Sequence, residues 1–124
     1  MTTKLRIGVI GAGDFAEACH VPGINSHPQA EVVALCGRRY DYVRAMADRL
    51  GVPDVHTQYP ELCNREDIDA VTIATPNAEH VEPAKMAFRS GKHVFCEKPL
   101  GMSVAEAHEM IRAAEESGKV HQVG

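Results

Sequence analysis

Two kinds of residue cluster in this 124-residue sequence could do chemistry. The first is built of small residues: Gly11, Gly13 and Ala16 in GVIGAGDFA, spaced G-x-G-x-x-A. Glycine at the first place permits a tight turn, and glycine at the second leaves no Cβ to obstruct a pyrophosphate. Alanine at the third lets a helix pack close to a strand. Asp14 and Phe15 stand between them, where the start of that helix offers unpaired N–H groups and a partial positive charge to an anion. Gly11, Gly13, Asp14, Phe15 and Ala16 are therefore candidate cofactor-binding residues, and the ligand they suit carries phosphates.

The second kind is polar and follows apolar runs. A dinucleotide fingerprint places an acid roughly twenty residues on, to accept from a ribose 2′-OH. Here Gly37 stands 24 residues after Gly13, and Arg38 and Arg39 follow at once. A guanidinium fork fits the oxygens of a 2′-phosphate, and an acid there would repel one. The pattern predicts NADP(H) preferred over NAD(H), with Arg38 as the main contact, Arg39 secondary and Gly37 beside them. The competing reading leaves both arginines as solvated charges at a strand end. Two later stretches, ATPNAEH (Ala74 to His80) and CEKPLG (Cys96 to Gly101), put Asn77, Glu97 and Lys98 after further strands. Ligands in open α/β sheets bind at such strand ends. Read alone, Glu97 and Lys98 equally suit a solvated ion pair, and His80 a helix-start cap.

The elements that must position these residues are legible in the pattern. Leu5 to Ile10, Glu31 to Cys36, Asp54 to Thr57, Ala70 to Ala74, His93 to Cys96 and Val120 to Val123 read as six strands. Helical segments lie between them. One opens near Asp14, and Pro22-Gly23 is expected to end or kink it. Val43, Met46, Ala47 and Leu50 give the next an apolar face closed by Gly51. Pro83 places a helix start near His80 or Val81, with Gly91 after its end. Ser103 with Glu106 forms a capping box for the last helix, whose buried face is expected to carry Val104, Ala107, Ile111 and Ala114 before Gly118 ends it. Alternating strands and helices with short links predict an α/β fold: a doubly wound parallel sheet, the Rossmann fold. About six strands lie in the order 3-2-1-4-5-6, with helices on both faces. The chain, residues 1–124, reads as one domain.

Bulk properties remove other classes. The net charge of −4, with basic residues scattered among acids, argues against a nucleic-acid partner. No apolar run approaches a membrane span, and no signal-like segment precedes the first strand, so a cytoplasmic protein is expected. Cys19, Cys36, Cys63 and Cys96 lie far apart and read as free thiols. The seven histidines lack metal-ligand spacing, so no metal site is expected.

GVIGAGDFA, the H-x-P of His20 and Pro22, IDAVTIATPNAEH, SGKHVFCEKPLGMS and the closing VG together resemble the N-terminal half of the glucose–fructose oxidoreductase, inositol dehydrogenase and rhizopine-catabolism (Gfo/Idh/MocA) family, in register along the chain. The resemblance implies a nicotinamide dinucleotide across the strand tips. Thr75, Pro76, Asn77 and His80 would lie along its ribose and pyrophosphate, with Glu97 and Lys98 near the nicotinamide ribose. It gives Lys98 the catalytic part of positioning substrate and assisting proton transfer, and it implies a cis Lys98-Pro99 bond. It further implies hydride transfer between NADP(H) and a sugar, polyol or related secondary alcohol or carbonyl. Family members carry a second, substrate-binding and dimerising domain; none is expected here, so the chain alone should bind cofactor without turnover. The alternative is a non-catalytic, redox-sensing regulatory module. An apolar surface left near the sheet's C-terminal edge is expected to favour self-association.

Overall fold

Each β-branched run becomes a strand in the computed structural model, which describes residues 3–124. Leu5–Ile10 is β1, Ala30–Cys36 β2, Asp54–His56 β3, Ala70–Ile73 β4, His93–Cys96 β5 and His121–Val123 β6. All pair in parallel, in the order β3-β2-β1-β4-β5-β6. The chain winds outward from β1 to β3, returns to β4 on the other side of β1, and winds outward again. That reversal opens a crevice between the C-terminal tips of β1 and β4.

Helices seal both faces. On one side lie α1 (Val21–Asn25) and α2 (Tyr40–Leu50). Their residues Val21, Val43, Met46 and Ala47 bury against Val9, Val32 and Leu35. On the other lie α3 (Tyr59–Cys63), α4 (Val81–Arg89) and α5 (Val104–Ser117). Leu62, Ala84, Phe88, Met110 and Ala114 there meet Ile10, Val71, Ile73 and Val94. Each fully buried aliphatic side chain contributes roughly 1.5–3 kcal/mol, which makes these two layers the bulk of the stabilisation. β2 does not alternate strictly. Its register with β1 slips between Ile7 and Gly8, so Val33 and Ala34, neighbours in sequence, both face the α3–α5 layer.

Three features depart from the sequence pattern. Of the two outcomes expected at Pro22, an end or a kink, the end does not occur: the helix that opens at Asp14 runs on to Asn25. It does so by a π-helical turn over Ala16–His20, in which the Val21 N–H reaches back to Ala16 O. The wider ring ahead of Pro22 accommodates a proline that would clash in α geometry. Next, α3 was not evident in the pattern; it is a single turn beginning beside Pro60, too short to show a period. Finally, the buried face of α5 is Met110 and Ala114, while Ile111 is exposed and Val104 is 75% exposed. α5 packs chiefly on α4, and this moves its contact from Ile111 to Met110 while Ala114 stays buried as expected. Half of the expected capping box forms at its start, where the Glu106 N–H donates to Ser103 Oγ at 3.1 Å. No helix among the described residues is long and apolar enough to cross a membrane.

Candidate functional site

β1 gives way after Ile10 to Gly11, where two constraints coincide. Its φ is +111°, and a Cβ there would lie 2.5 Å from the carbonyl carbon and oxygen of Ala74. Only glycine satisfies both, because the turn must pass under the tip of β4 in a conformation that side chains resist. The Gly11 N–H donates to Cys36 O at 2.9 Å, which ties the turn to β2 as well. Gly13 contrasts with it: a Cβ at that position would meet nothing within 4 Å. No packing within the protein demands glycine there, so its bare backbone is left facing open space. That is the fit a pyrophosphate requires, at the start of a helix preceded by Gly13, which has no side chain to cap its first amides. Ala16 is buried beneath the turn against the α1–α2 layer.

A cleft of about 1270 Å³ runs along the tips of β1 to β4. It brings together Gly11, Gly13, Asp14, Phe15, Gly37, Arg38, Arg39, Thr75 and Pro76. Asn77 is exposed on the adjoining 3₁₀ turn, Asn77–Glu79. Arg38 pairs with Glu79 across the cleft. Arg39 lies with its guanidinium carbon 5.5 Å from the centre of the Tyr42 ring, a cation–π distance, immediately before α2. Sequence reasoning did not assign Glu79, Glu82, Tyr42, Glu106 or Glu109 to the site, though they also line the cleft. A signal existed for Glu79 alone, three residues past Pro76 in the loop after a strand.

His80, Glu97 and Lys98 do not line this cleft. His80 is wholly buried, with Nδ1 2.7 Å from Pro99 O and Nε2 3.0 Å from Thr75 O. It therefore ties the T-P-N loop to the E-K-P loop. At the tip of β5, Glu97 Oε2 accepts from the Lys98 N–H at 3.2 Å, and Lys98-Pro99 is cis. Glu97 Oε1 lies 3.0 Å from His20 Nε2. That nitrogen is shielded from solvent and makes no aligned hydrogen bond, so the contact is one of proximity. The His20 ring is met edge-on by Phe15 at 5.1 Å and by Phe95 at 5.7 Å. Phe15 thus belongs to the cleft and to this corner at once. His20 had shown itself in the sequence only as part of H-x-P; its nearness to Glu97 depends on the π turn that carries it.

All four cysteines are free, Cys19 exposed and Cys36, Cys63 and Cys96 buried. Burial pushes Cys36 up to about 12, and Cys63 and Cys96 up to about 11, which keeps them as unreactive thiols. Among the described residues no His, Cys, Asp and Glu cluster could hold a metal ion. A second groove, of about 510 Å³, lies between α4 and α5 and carries none of the candidate cofactor-binding or catalytic residues.

Residues 5–124 match the model of an oxidoreductase family with an NAD-binding Rossmann fold, Gfo/Idh/MocA. The chain is 38% identical over 114 residues to a dTDP-3,4-didehydro-2,6-dideoxy-alpha-D-glucose 3-reductase of Actinomadura kijaniata, covering 92% of this chain and 34% of that one. It is 34% identical over 119 residues to a D-glucoside 3-dehydrogenase of Escherichia coli, covering 96% and 34%. Among solved structures, a 3-ketoreductase from Actinomadura kijaniata in complex with NADP and TDP-benzene superposes with a TM-score of 0.91 at 34% identity, over 98% of this chain and 37% of that one. An apo scyllo-inositol dehydrogenase from Lactobacillus casei gives 0.90 at 27% identity, over 100% and 38%. The chain thus spans about a third of the length of the relatives it matches.

Proposed function

The chain belongs to the Gfo/Idh/MocA family of oxidoreductases with an NAD-binding Rossmann fold, and on that premise we propose that it binds NADP(H) in preference to NAD(H) for hydride transfer to or from a sugar, polyol or related secondary alcohol or carbonyl. The observation that carries this reading is the pairing of a bare Gly13 backbone with Arg38 in one cleft. Gly11, Gly13, Asp14, Phe15 and Ala16 would form the pyrophosphate turn, with Thr75, Pro76 and Asn77 on the opposite wall. Arg38 would take the 2′-phosphate, where its planar fork of donors can make two charge-assisted hydrogen bonds. Arg39, already engaged with Tyr42, plays the lesser part.

When bound, the dinucleotide supplies a hydride donor or acceptor. The chain's own contribution to the reaction centres on Lys98. It is exposed at the tip of β5, and an ammonium beside a reacting hydroxyl or carbonyl steadies developing negative charge or passes a proton. Glu97 orients that corner through the Lys98 N–H, and His80 fixes the loop that follows from below. Turnover also requires a substrate held against the nicotinamide. In the longer relatives, two thirds of the chain is available for that task. The 124 residues alone are therefore expected to bind cofactor without turning substrate over.

The test is titration with NADPH and NADH, using the reduced nicotinamide's own fluorescence. Arg38→Ala is expected to weaken NADPH about tenfold, the worth of a charge-assisted hydrogen bond, and to leave NADH nearly unchanged. Equal weakening of both, or tighter binding of NADH than NADPH to the unaltered chain, overturns the NADP(H) preference.

A further inference from the structure

The ribose acid missing from the end of β2 has a counterpart on the opposite wall of the cleft. No acid can stand at Gly37 itself, because a Cβ there would lie 2.5 Å from Val43 Cγ2 and 2.9 Å from Ala12 Cβ. The carboxylate that reaches this corner is that of Glu79, which forms an ion pair with Arg38. The two partners are unequally held. Glu79 sits on a turn fixed twice through its own backbone. Its N–H donates to Pro76 O at 2.8 Å, and its carbonyl accepts from Thr75 Oγ1 at 2.8 Å. The Arg38 side chain is 74% exposed. Arg38, the more exposed partner, therefore comes to Glu79, and a ligand that wants the guanidinium must share it with a carboxylate carried on a fixed turn.

The charge balance of the cleft points the same way. Asp14, Glu79, Glu82, Glu106 and Glu109 line it against Arg38 and Arg39. A 2′-phosphate brought to Arg38 meets a like charge at Glu79, which costs affinity. A ribose 2′-hydroxyl is neutral and can donate to that carboxylate.

We propose that Glu79 is a specificity-determining residue for the cofactor: by holding Arg38 it disfavours the 2′-phosphate and favours the 2′-hydroxyl, so the chain takes both dinucleotides with only a modest lead for NADP(H). This rests on the reading of Arg38 as the 2′-phosphate contact. NADPH and NADH are titrated into the unaltered chain, Glu79→Gln, Glu82→Gln and Arg38→Ala, with thermal melts to confirm folding. Glu79→Gln is expected to tighten NADPH about fivefold, the upper worth of an exposed ion pair, and to leave NADH unchanged or weaker. Glu82→Gln removes the same charge from the same cleft without touching Arg38, and is expected to move the ratio less than about twofold. An unmoved ratio in Glu79→Gln overturns the proposal. So does an equal gain in Glu82→Gln, which would assign the effect to overall charge. The Arg38→Ala arm keeps the two readings apart. If it lowers the ratio while Glu79→Gln does not raise it, the role of Glu79 alone fails; if it leaves the ratio unmoved, the reading of Arg38 fails with it.

Discussion

The two ends of the parallel sheet are finished in opposite ways. At the N-terminal ends of the strands, charges close on one another. Arg6 at the start of β1 bonds Asp67 at 3.0 Å and Glu31, at the start of β2, at 3.4 Å. Arg65 reaches Asp54 at 2.9 Å and Asp67 at 2.8 Å, and Lys92 Nζ donates to Arg65 O at 2.5 Å. Five strand starts are stitched together by one ion-pair and hydrogen-bond network. At the C-terminal ends of β1 and β2 the chain instead offers glycine, helix starts without a side-chain cap and a single cross-cleft pair. The lesson is that a parallel sheet divides labour by polarity. Residues before a strand serve stability, and residues after it remain free for ligands.

Three changes would break or sharpen that contrast. The largest effect is expected from Gly13→Val, which adds bulk where no protein atom lies within 4 Å. Dinucleotide affinity should fall about tenfold to a hundredfold, an overpacking penalty of 1–3 kcal/mol applied to a ligand instead of a core, while the melting temperature barely moves. A comparable loss of stability would mean that the turn serves the fold after all. Arg65→Ala should do the reverse. It removes two carboxylate partners and the contact with His56, costing about 1–2 kcal/mol in urea denaturation once solvent screening of the exposed partners is allowed for. Cofactor affinity should be unaltered, and a shift in it would show that the two ends are coupled.

The smallest effect concerns pH. Hydrogen bonds from Arg65 hold the Asp67 carboxyl below the usual carboxylate range, with Arg6 adding to them. A carboxyl lowered in this way stabilises the folded chain at pH values above its unfolded pKa of about 3.9, and that contribution is lost as pH falls from there toward the folded value. Asp67→Asn should therefore be less stable than the unaltered chain at neutral pH, and the gap should close on acidification. A gap independent of pH would place the effect in packing instead of charge.

The sequence displayed the backbone part of this molecule better than its side-chain part. Gly11, Gly13 and Ala16 declare themselves because turn and packing constraints act over a few residues, and the runs at β1, β2, β4 and β5 are apolar enough to name themselves. On α5 the pattern finds Ala114 but not Met110, because Val104 and Ile111 fit a helical stripe through Ala114 as well as Met110 does. Only the docking of α5 on α4 decides between them. Glu79 against Arg38, and His20 against Glu97, join residues 41 and 77 positions apart, which no local pattern reports.

The π turn at Ala16–His20 carries one more consequence, in the arithmetic of insertions and deletions. Such a turn holds one residue more than the α-helix would need for the same path. Deleting a single residue from this stretch would leave the ring ahead of Pro22 one residue short, so the proline would meet the preceding turn. The side chains of Ala16–His20 would be re-phased by up to about 100° to accommodate it. His20 would swing away from Glu97 and from the edges of Phe15 and Phe95, while the glycine turn before it stayed in place. The extra residue acts as a phase-setting element: it fixes which side chain the first helix presents to the tip of β5, independently of how that helix begins.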